Sequence, residues 1–346
     1  MKKLRVAVSG LGRIGWKFHL PAIAGNEGFE LAAVSDPMPE RIEEAFKQYG
    51  VKGYTNYSDL LENEKIDLMV VASPTIFHVE QSIAAFEYGM DVFLEKPMAP
   101  SLEETDLIIE GMKKHGRKLM VYQPDRALPE FLALKSLIGK GLIGNIYMIK
   151  RARTYYQRRS DWQSLKQYGG GMLNNYGAHQ IDQLLNLAGS PASWISCRIR
   201  KVASLGDADD MVKAMIETEN GIILDLDINM ATAFEFPKWY ILGSLGTIMF
   251  DWQGNEEGIF KVKYLLENEL PEHALNHGLA ANGRLYDSPE GLKWHEDSFE
   301  VSIFKKINFY EKCYAYYAMG EEPFVPVSES REVMRVIGEC RRSAGW

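Results

Sequence analysis

The chain has 346 residues, a length that favours two cores over one. Its hydrophobic (46%) and charged (25%) fractions are those of an ordinary globular protein. A formal net charge of −8 argues against a nucleic-acid partner, and no apolar run approaches the roughly 20 residues of a membrane span, so neither a nucleic-acid nor a membrane partner is expected.

In chain order, the first third alternates strand and helix, the pattern of a parallel sheet covered on both faces. The run 4–9 reads as the first strand. Met1-Lys2-Lys3-Leu4 resembles a secretion leader only superficially, because Gly10, Gly12 and Arg13 break the apolar stretch. Further strands are expected at 30–35, 68–73, 92–94 and 118–122. Helices are expected at 40–49, ending at Gly50, and at 76–88, ending at Gly89. Another is expected at 102–115, opened by Ser101 and Glu104 in capping-box spacing and closed by Gly116. Residues 1–122 thus form one doubly wound domain.

Residues 123–346 change character. A helix at 129–140 and a strand at 146–155 precede Gly169-Gly170-Gly171, which opens a helix through 187. Strands follow at 194–202, 212–217, 222–230, 239–242 and 247–250, with Asn220-Gly221 a strong hairpin signal. Apolar Leu224, Leu226, Ile228 and Met230 alternate with Asp225, Asp227 and Asn229, so one face of this sheet meets a core and the other is wet or used in assembly. Helices at 301–319 and 329–342 close the chain, and 256–298 carries no assigned element. The expected fold class is α/β followed by α+β: a Rossmann-type parallel sheet, then a large, mostly antiparallel open sheet flanked by helices. Cys197, Cys313 and Cys340 are widely separated, which suits buried thiols in a reducing cytoplasm.

The most specific stretch is Val6-Ala7-Val8-Ser9-Gly10-Leu11-Gly12-Arg13-Ile14-Gly15, a strand running into G-x-G-x-x-G and then a helix. Asp36 ends the next apolar run. This is the layout of a dinucleotide-binding βαβ unit. Gly10 permits the tight turn, Gly12 lets backbone approach a pyrophosphate, and Gly15 allows close packing of helix on strand. The helix behind them turns its N–H groups and positive end to phosphate, and Arg13 and Ile14 share the loop. Asp36 suits the adenosine ribose hydroxyls and repels a 2′-phosphate. The nearest basic residue, Arg41, is five positions on, so NAD is expected over NADP.

Three further features stand at strand or helix ends. Ser73-Pro74-Thr75, with His78 just beyond, lies where an open α/β sheet binds ligands, and reads equally as a plain strand-to-helix turn. In Glu95-Lys96-Pro97 the proline fixes the backbone, so Lys96 projects at a defined angle as an acid or hydrogen-bond donor. Read alone, Lys96 is a surface ammonium. Asn175, His179 and Asp182 share one helix face, a polar stripe suited to proton transfer or to one structural histidine.

Together these pieces resemble the Gfo/Idh/MocA oxidoreductase family over most of the chain. The E-K-P element and the G-G-G…G-x-H-x-x-D element, about eighty residues apart, carry the resemblance most specifically. The resemblance implies that Lys96 contacts the substrate hydroxyl and the nicotinamide region, and that His179 transfers the proton. The family often has aspartate four residues before that histidine, whereas this chain has Asn175, which cannot carry a proton. Gln123, Asp125 and Arg126 fall where the family enters its second domain and contributes substrate contacts. Tyr156, Arg158, Arg159 and Trp162 are candidates for a sugar-binding wall, and surface packing explains each equally well.

The resulting expectation is an NAD(P)-dependent enzyme moving a hydride between nicotinamide and a secondary alcohol of a sugar, cyclitol or related polyol. Lys96 and His179 are catalytic, with Gln123, Arg126, Trp162, Asn175 and Asp182 on the substrate. Gly10, Gly12, Arg13, Ile14, Gly15, Asp36, Arg41, Ser73, Pro74, Thr75, His78, Glu95, Lys96 and Pro97 hold the cofactor. Two alternatives stay open: a redox-neutral NAD-dependent glycosidase of the same fold, and a non-enzymatic cofactor sensor. A homo-oligomer, dimer or tetramer, is expected from the uncommitted sheet face. His273 and His277 have helical metal spacing without a third ligand, so no metal is expected. The chain has no G-x-S-x-G elbow.

Overall fold

The structure, a computed structural model, describes residues 3–251, 258–272, 275, 277, 278 and 291–346. Buried apolar runs form the first strands: β1 (Leu4–Ser9), β2 (Phe29–Ser35), β3 (Lys52–Tyr54), β4 (Leu68–Val71), β5 (Asp91–Leu94) and β6 (Leu119–Val121). All pair in parallel, in the order β3-β2-β1-β4-β5-β6. This order reverses direction between β1 and β4, where open α/β sheets hold dinucleotides. The crossovers carry α1 (Leu20–Ala24), α2 (Pro39–Tyr49), α3 (Tyr57–Asn63), α4 (His78–Glu87) and α5 (Leu102–Lys114). Gly50 ends α2 in the left-handed region at φ +66°, and Ser101 caps α5 by accepting from the Glu104 N–H. Between β1 and α1 the chain makes a widened π turn over Gly15–His19. Pro21 has no N–H to offer the Lys17 carbonyl one turn earlier, which disfavours a regular α turn there.

After α6 (Pro129–Gly139), the long strand β7 (Ile146–Thr154) enters a second sheet. α7 (Ala178–Ala188) follows, then β8 (Ala192–Arg200), β9 (Met211–Thr218), β10 (Ile223–Asn229), β11 (Trp239–Gly243), β12 (Gly246–Asp251), β13 (Ile259–Tyr264) and β14 (His295–Glu300). Their order is β14-β13-β12-β11-β7-β10-β9-β8, antiparallel except at β7 and β10. The predicted alternation holds: Leu224, Leu226, Ile228 and Met230 are buried, and Asn220-Gly221 turns the β9–β10 hairpin with Gly221 at φ +82°.

Two departures have local causes. Residues 301–319 do not form one helix. A single 3₁₀ turn at Val301–Ile303 is followed by extended chain whose Ile307 N–H donates to the Ala127 carbonyl. Only at Asn308, whose side chain accepts the Tyr310 N–H, does α8 (Phe309–Tyr314) begin. The unassigned stretch holds β13 and the edge strand β14. His273, half of the discounted histidine pair, lies outside the described residues.

The chain then returns to the first sheet. Phe309, Tyr310, Cys313 and Tyr317 pack into the same buried cluster as Val6, Val8, Phe93 and Met120. The final helix α9 (Val327–Ala344) joins the other cluster, which runs from the opposite face of the first sheet into the core of the second. This shared core holds the carboxyl edge of the first sheet against β7 and α7. No helix among the described residues is long and apolar enough to cross a membrane.

Candidate active site

The glycine loop is shaped by contacts that exclude a side chain. Gly10 sits at φ +96°, and a Cβ there would stand 2.6 Å from the Ala72 carbonyl carbon. A Cβ on Gly15 would meet the Gly10 oxygen at 2.0 Å. Gly12 differs: nothing lies within 4 Å of the Cβ position, so backbone there borders open space. Asp36 is buried, and its carboxylate stitches the loop by accepting from Leu11 N (2.8 Å) and Met38 N (3.0 Å). Arg41 reaches back to the same carboxylate at 3.1 Å, placing a half-exposed guanidinium at the rim. Two tight glycines, one open glycine and an acid at the end of β2 fit a bound dinucleotide. Arg13 points across to the second domain, where it pairs with Asp161 at 3.1 Å. Ile14 is half-buried on the same loop.

The neighbouring strand ends are tied together. Ser9 and Ser73 hydroxyls both donate to Gln81 Oε1 (3.0 and 2.9 Å). Pro74 is exposed and leads into a 3₁₀ turn that buries Thr75. His78 does not reach the cleft. Its ring is buried, with Nδ1 3.0 Å from the Pro97 carbonyl and Nε2 3.0 Å from the Ser73 carbonyl, so it clamps the turn after β4 to the turn after β5. Glu95 is also buried. One of its oxygens meets His19 Nε2 at 2.9 Å, and His19 Nδ1 meets the Tyr310 hydroxyl at 2.6 Å. The other oxygen accepts the Lys96 N–H at 3.1 Å. Burial opposes the Glu95 carboxylate, but the hydrogen bond from His19 and the nearby Lys96 and His179 outweigh it and lower its pKa. A chain of side chains thus runs from the glycine-loop helix through Glu95 to the peptide that carries Lys96. The Lys96–Pro97 bond is cis.

Lys96 crosses to the second domain. Its Nζ donates to the backbone oxygen (3.0 Å) and the side-chain oxygen (3.1 Å) of Asn175. Asn175 belongs to a π turn, Leu173–Gly177, whose wider winding presents that carbonyl. The turn is anchored by Asp209, which accepts the Leu173 N–H at 2.8 Å, and a Cβ on Gly171 would strike its carboxylate at 2.0 Å. That contact explains the third glycine. One turn on, His179 is pushed down to about 4, by burial first and then by the charge of Lys96, so its imidazole is neutral. Its Nδ1 is buried with no partner among the described residues, as is Gln123 Oε1. Burial also lowers the Lys96 ammonium, while Glu95 and Asp125 oppose the shift. Asp125 stays below the ordinary carboxylate value: burial works against it, but His179, Arg151, Lys238 and Lys96 outweigh burial.

The other predicted substrate contacts divide. Gln123 turns its amide N–H to the Ala178 carbonyl at 3.3 Å, next to His179. Trp162 lies half-exposed in the turn behind Asp161, and Tyr156 and Arg158 are exposed. Arg159 pairs with Asp161 at 2.8 Å. Arg126 and Asp182 are buried and engage one another through two hydrogen bonds of 2.7 and 2.5 Å, with Glu329 as a third member. Breaking a buried pair strands a charge. Arg126→Met is therefore expected to cost about 3–5 kcal/mol of stability in a urea titration, and adding Asp182→Leu to recover most of it. A double variant as unstable as the single would contradict this.

Sequence reasoning missed the wall opposite Lys96. Arg153, on the core-facing side of β7, stacks its guanidinium 3.9 Å from the Tyr176 ring centroid, and the Tyr155 and Tyr176 hydroxyls meet at 2.8 Å. The available signal was a strand whose basic residues, Arg151 and Arg153, occupy the inward positions shared with Ile149.

A parallel sheet with a glycine cradle at its direction reversal, closed by a second domain that supplies an imidazole, is an NAD-binding oxidoreductase architecture. Residues 4–123 match the family model described as "Oxidoreductase family, NAD-binding Rossmann fold", and residues 131–249 match the "GFO/IDH/MocA C-terminal domain". The chain belongs to the Gfo/Idh/MocA oxidoreductase family. It is 27% identical to the uncharacterized oxidoreductase YdgJ of Escherichia coli (strain K12), over 96% of this chain and 94% of that protein. It is 26% identical to the 2,7-anhydro-N-acetylneuraminate hydratase of Mediterraneibacter gnavus, over 85% of this chain and 81% of that protein. A crystal structure of an NAD-binding protein from Listeria innocua superposes with a TM-score of 0.85 at 25% identity, covering 100% of this chain and 98% of that one.

Proposed function

We infer that the protein is a dehydrogenase acting on a secondary alcohol of a sugar, cyclitol or related polyol. The observation that carries this reading is the meeting of Lys96, from the first domain, with the π turn and neutral His179 of the second. Gly10, Gly12, Gly15 and Asp36 would hold the dinucleotide, and bound nicotinamide supplies the hydride acceptor or donor. Lys96 holds and polarises the substrate oxygen. His179, a neutral imidazole, takes the hydroxyl proton on oxidation and returns it on reduction. Asn175 orients the ammonium and carries no proton. Two ionisable groups set for proton transfer in a buried cleft argue against a pure sensor.

The test follows the absorbance of reduced cofactor while cyclitols, aldoses and sugar acids are offered with NAD or NADP. Turnover with at least one member is expected, and no cofactor reduction across the panel sinks the reading. The hydratase among the relatives favours a second reading, in which oxidation is transient and the cofactor is restored within the cycle. A product that is cleaved or hydrated but not oxidised, with no reduced cofactor accumulating, identifies that case.

NAD is the proposed cofactor because the Asp36 carboxylate lies where a 2′-phosphate would approach. Arg41 offsets that repulsion in part. Fluorescence titration is expected to show tighter NADH than NADPH binding, and Arg41→Ala to weaken NADPH about tenfold more than NADH. An unchanged ratio in the variant would remove Arg41 from cofactor choice.

A further inference from the structure

Two cations at this site form no ion pair among the described residues. There the Lys96 ammonium is hydrogen-bonded to the neutral oxygens of Asn175, with the charges of Glu95 and Asp125 nearby, and Arg153 has no carboxylate partner. Of the nearby acids, Asp161 is engaged by Arg13 and Arg159, and Glu95 by His19 and the Lys96 N–H, while Asp125 acts on Lys96 through its charge without an ion pair to it among the described residues, and none of the three pairs with Arg153. Arg153 instead lies against two phenol rings, 3.9 Å from the Tyr176 centroid and 5.5 Å from that of Tyr155. Its Nε is buried with no partner.

A largely buried guanidinium is ordinarily paired, because leaving the charge without an anion forfeits the stabilisation that compensates its lost hydration. Structural need does not explain this one. An apolar residue at position 153 would serve the core as Ile228 does at the paired position on β10. The placement is also specific. Arg153 and Lys96 meet consecutive residues of one π turn, Tyr176 and Asn175, so the two cations border the same part of the cleft. Arg153 already acts on what is near it. Burial would raise the Tyr176 phenol, but the Tyr155 hydroxyl and the Arg153 charge outweigh it and lower that pKa.

We propose that Arg153 is a specificity residue that seats the carboxylate of a sugar acid, while Lys96 holds the hydroxyl that reacts. A planar guanidinium matches a carboxylate fork to fork, and the Tyr176 and Tyr155 side chains on which Arg153 rests hold it in place. The inference rests on the dehydrogenase reading for the role of Lys96, but its test does not depend on turnover.

The protein saturated with NADH is titrated calorimetrically with D-glucuronate, D-galacturonate, their neutral hexoses and D-glucose 6-phosphate. Wild type is expected to bind at least one hexuronate about 30-fold more tightly than its neutral counterpart. Arg153→Met should bring that ratio below about 3, and Arg153→Lys, which keeps the charge without the fork, should fall between. NADH titration and thermal unfolding check that each variant is folded, and if the methionine variant is not, the lysine variant carries the comparison. Equal affinity for acid and neutral sugar, no detectable binding of either acid, or an equal loss for both sugars in the variants overturns the proposal. Preferential binding of the phosphate ester also overturns it, in favour of a phosphate site. If the acid preference and its loss are seen but NAD, offered in a separate absorbance assay with the same sugars, is not reduced, the Arg153 assignment stands and the dehydrogenase reading falls.

Discussion

Lys96→Met is expected to lower kcat by about 1000-fold while NADH affinity stays within a few-fold. Methionine keeps the length and apolar stem of lysine, so the space that the side chain fills stays filled. What disappears is the ammonium that Asn175 holds at 3.0 and 3.1 Å, the proposed donor to the reacting oxygen. The glycine cradle and Asp36 lie on other strands and keep their geometry. A second consequence has a definite sign. Lys96 is one cause of the low His179 pKa, about 4. Oxidation needs the unprotonated imidazole, so kcat/KM in wild type falls only as the pH drops through that value. Without the ammonium the imidazole pKa rises, and the acid limb of the profile moves upward. A limb that stays in place while kcat falls would mean that the titrating group is not His179.

Legibility in the sequence followed the range of the interactions. The glycine loop is backbone chemistry written in adjacent residues, and β1, β2, β4 and β5 fell within two residues of the expected strands. Asn220-Gly221 and the Leu224-to-Met230 alternation were equally local. Three-residue β3 was too short to show a period. β13 alternates Phe260 and Val262 with Lys261 and Lys263, but β14 (His-Glu-Asp-Ser-Phe-Glu) has no apolar face and exists because β13 pairs with it. The merged helix at 301–319 arose because apolar spacing outweighed Asn308, a capping residue.

Site residues divide the same way. Lys96 and His179 are marked by short motifs. The pairing of Arg126 with Asp182 spans 56 positions and is visible only once α7 packs beside the turn before α6. His78 looked like a cleft residue because it follows Ser73-Pro74, yet its ring turns inward to two carbonyls that no local pattern announces. The His19–Glu95–Tyr310 chain joins residues from three distant segments.

Loss of the imidazole in His179→Ala is expected to lower kcat by about 1000-fold, again with NADH affinity nearly intact, because the ring lies on α7 of the second domain while the glycine loop follows β1 of the first. The size of the loss depends on what else could take the proton. Asn175 has no ionisable group, and the proposed role of Lys96 is to donate to the reacting oxygen rather than to accept its proton. Asp125 remains, an ionised carboxylate whose charge is felt at His179. If Asp125 can substitute, the variant will retain a tenth or more of wild-type turnover, and Asp125→Asn on that background will remove it. If His179 is the base, added imidazole should restore part of the activity of His179→Ala, since the vacated space borders the cleft and the missing function is proton transfer rather than shape. Rescue that rises with the unprotonated fraction of imidazole separates this role from a packing defect, which a buffer base cannot repair.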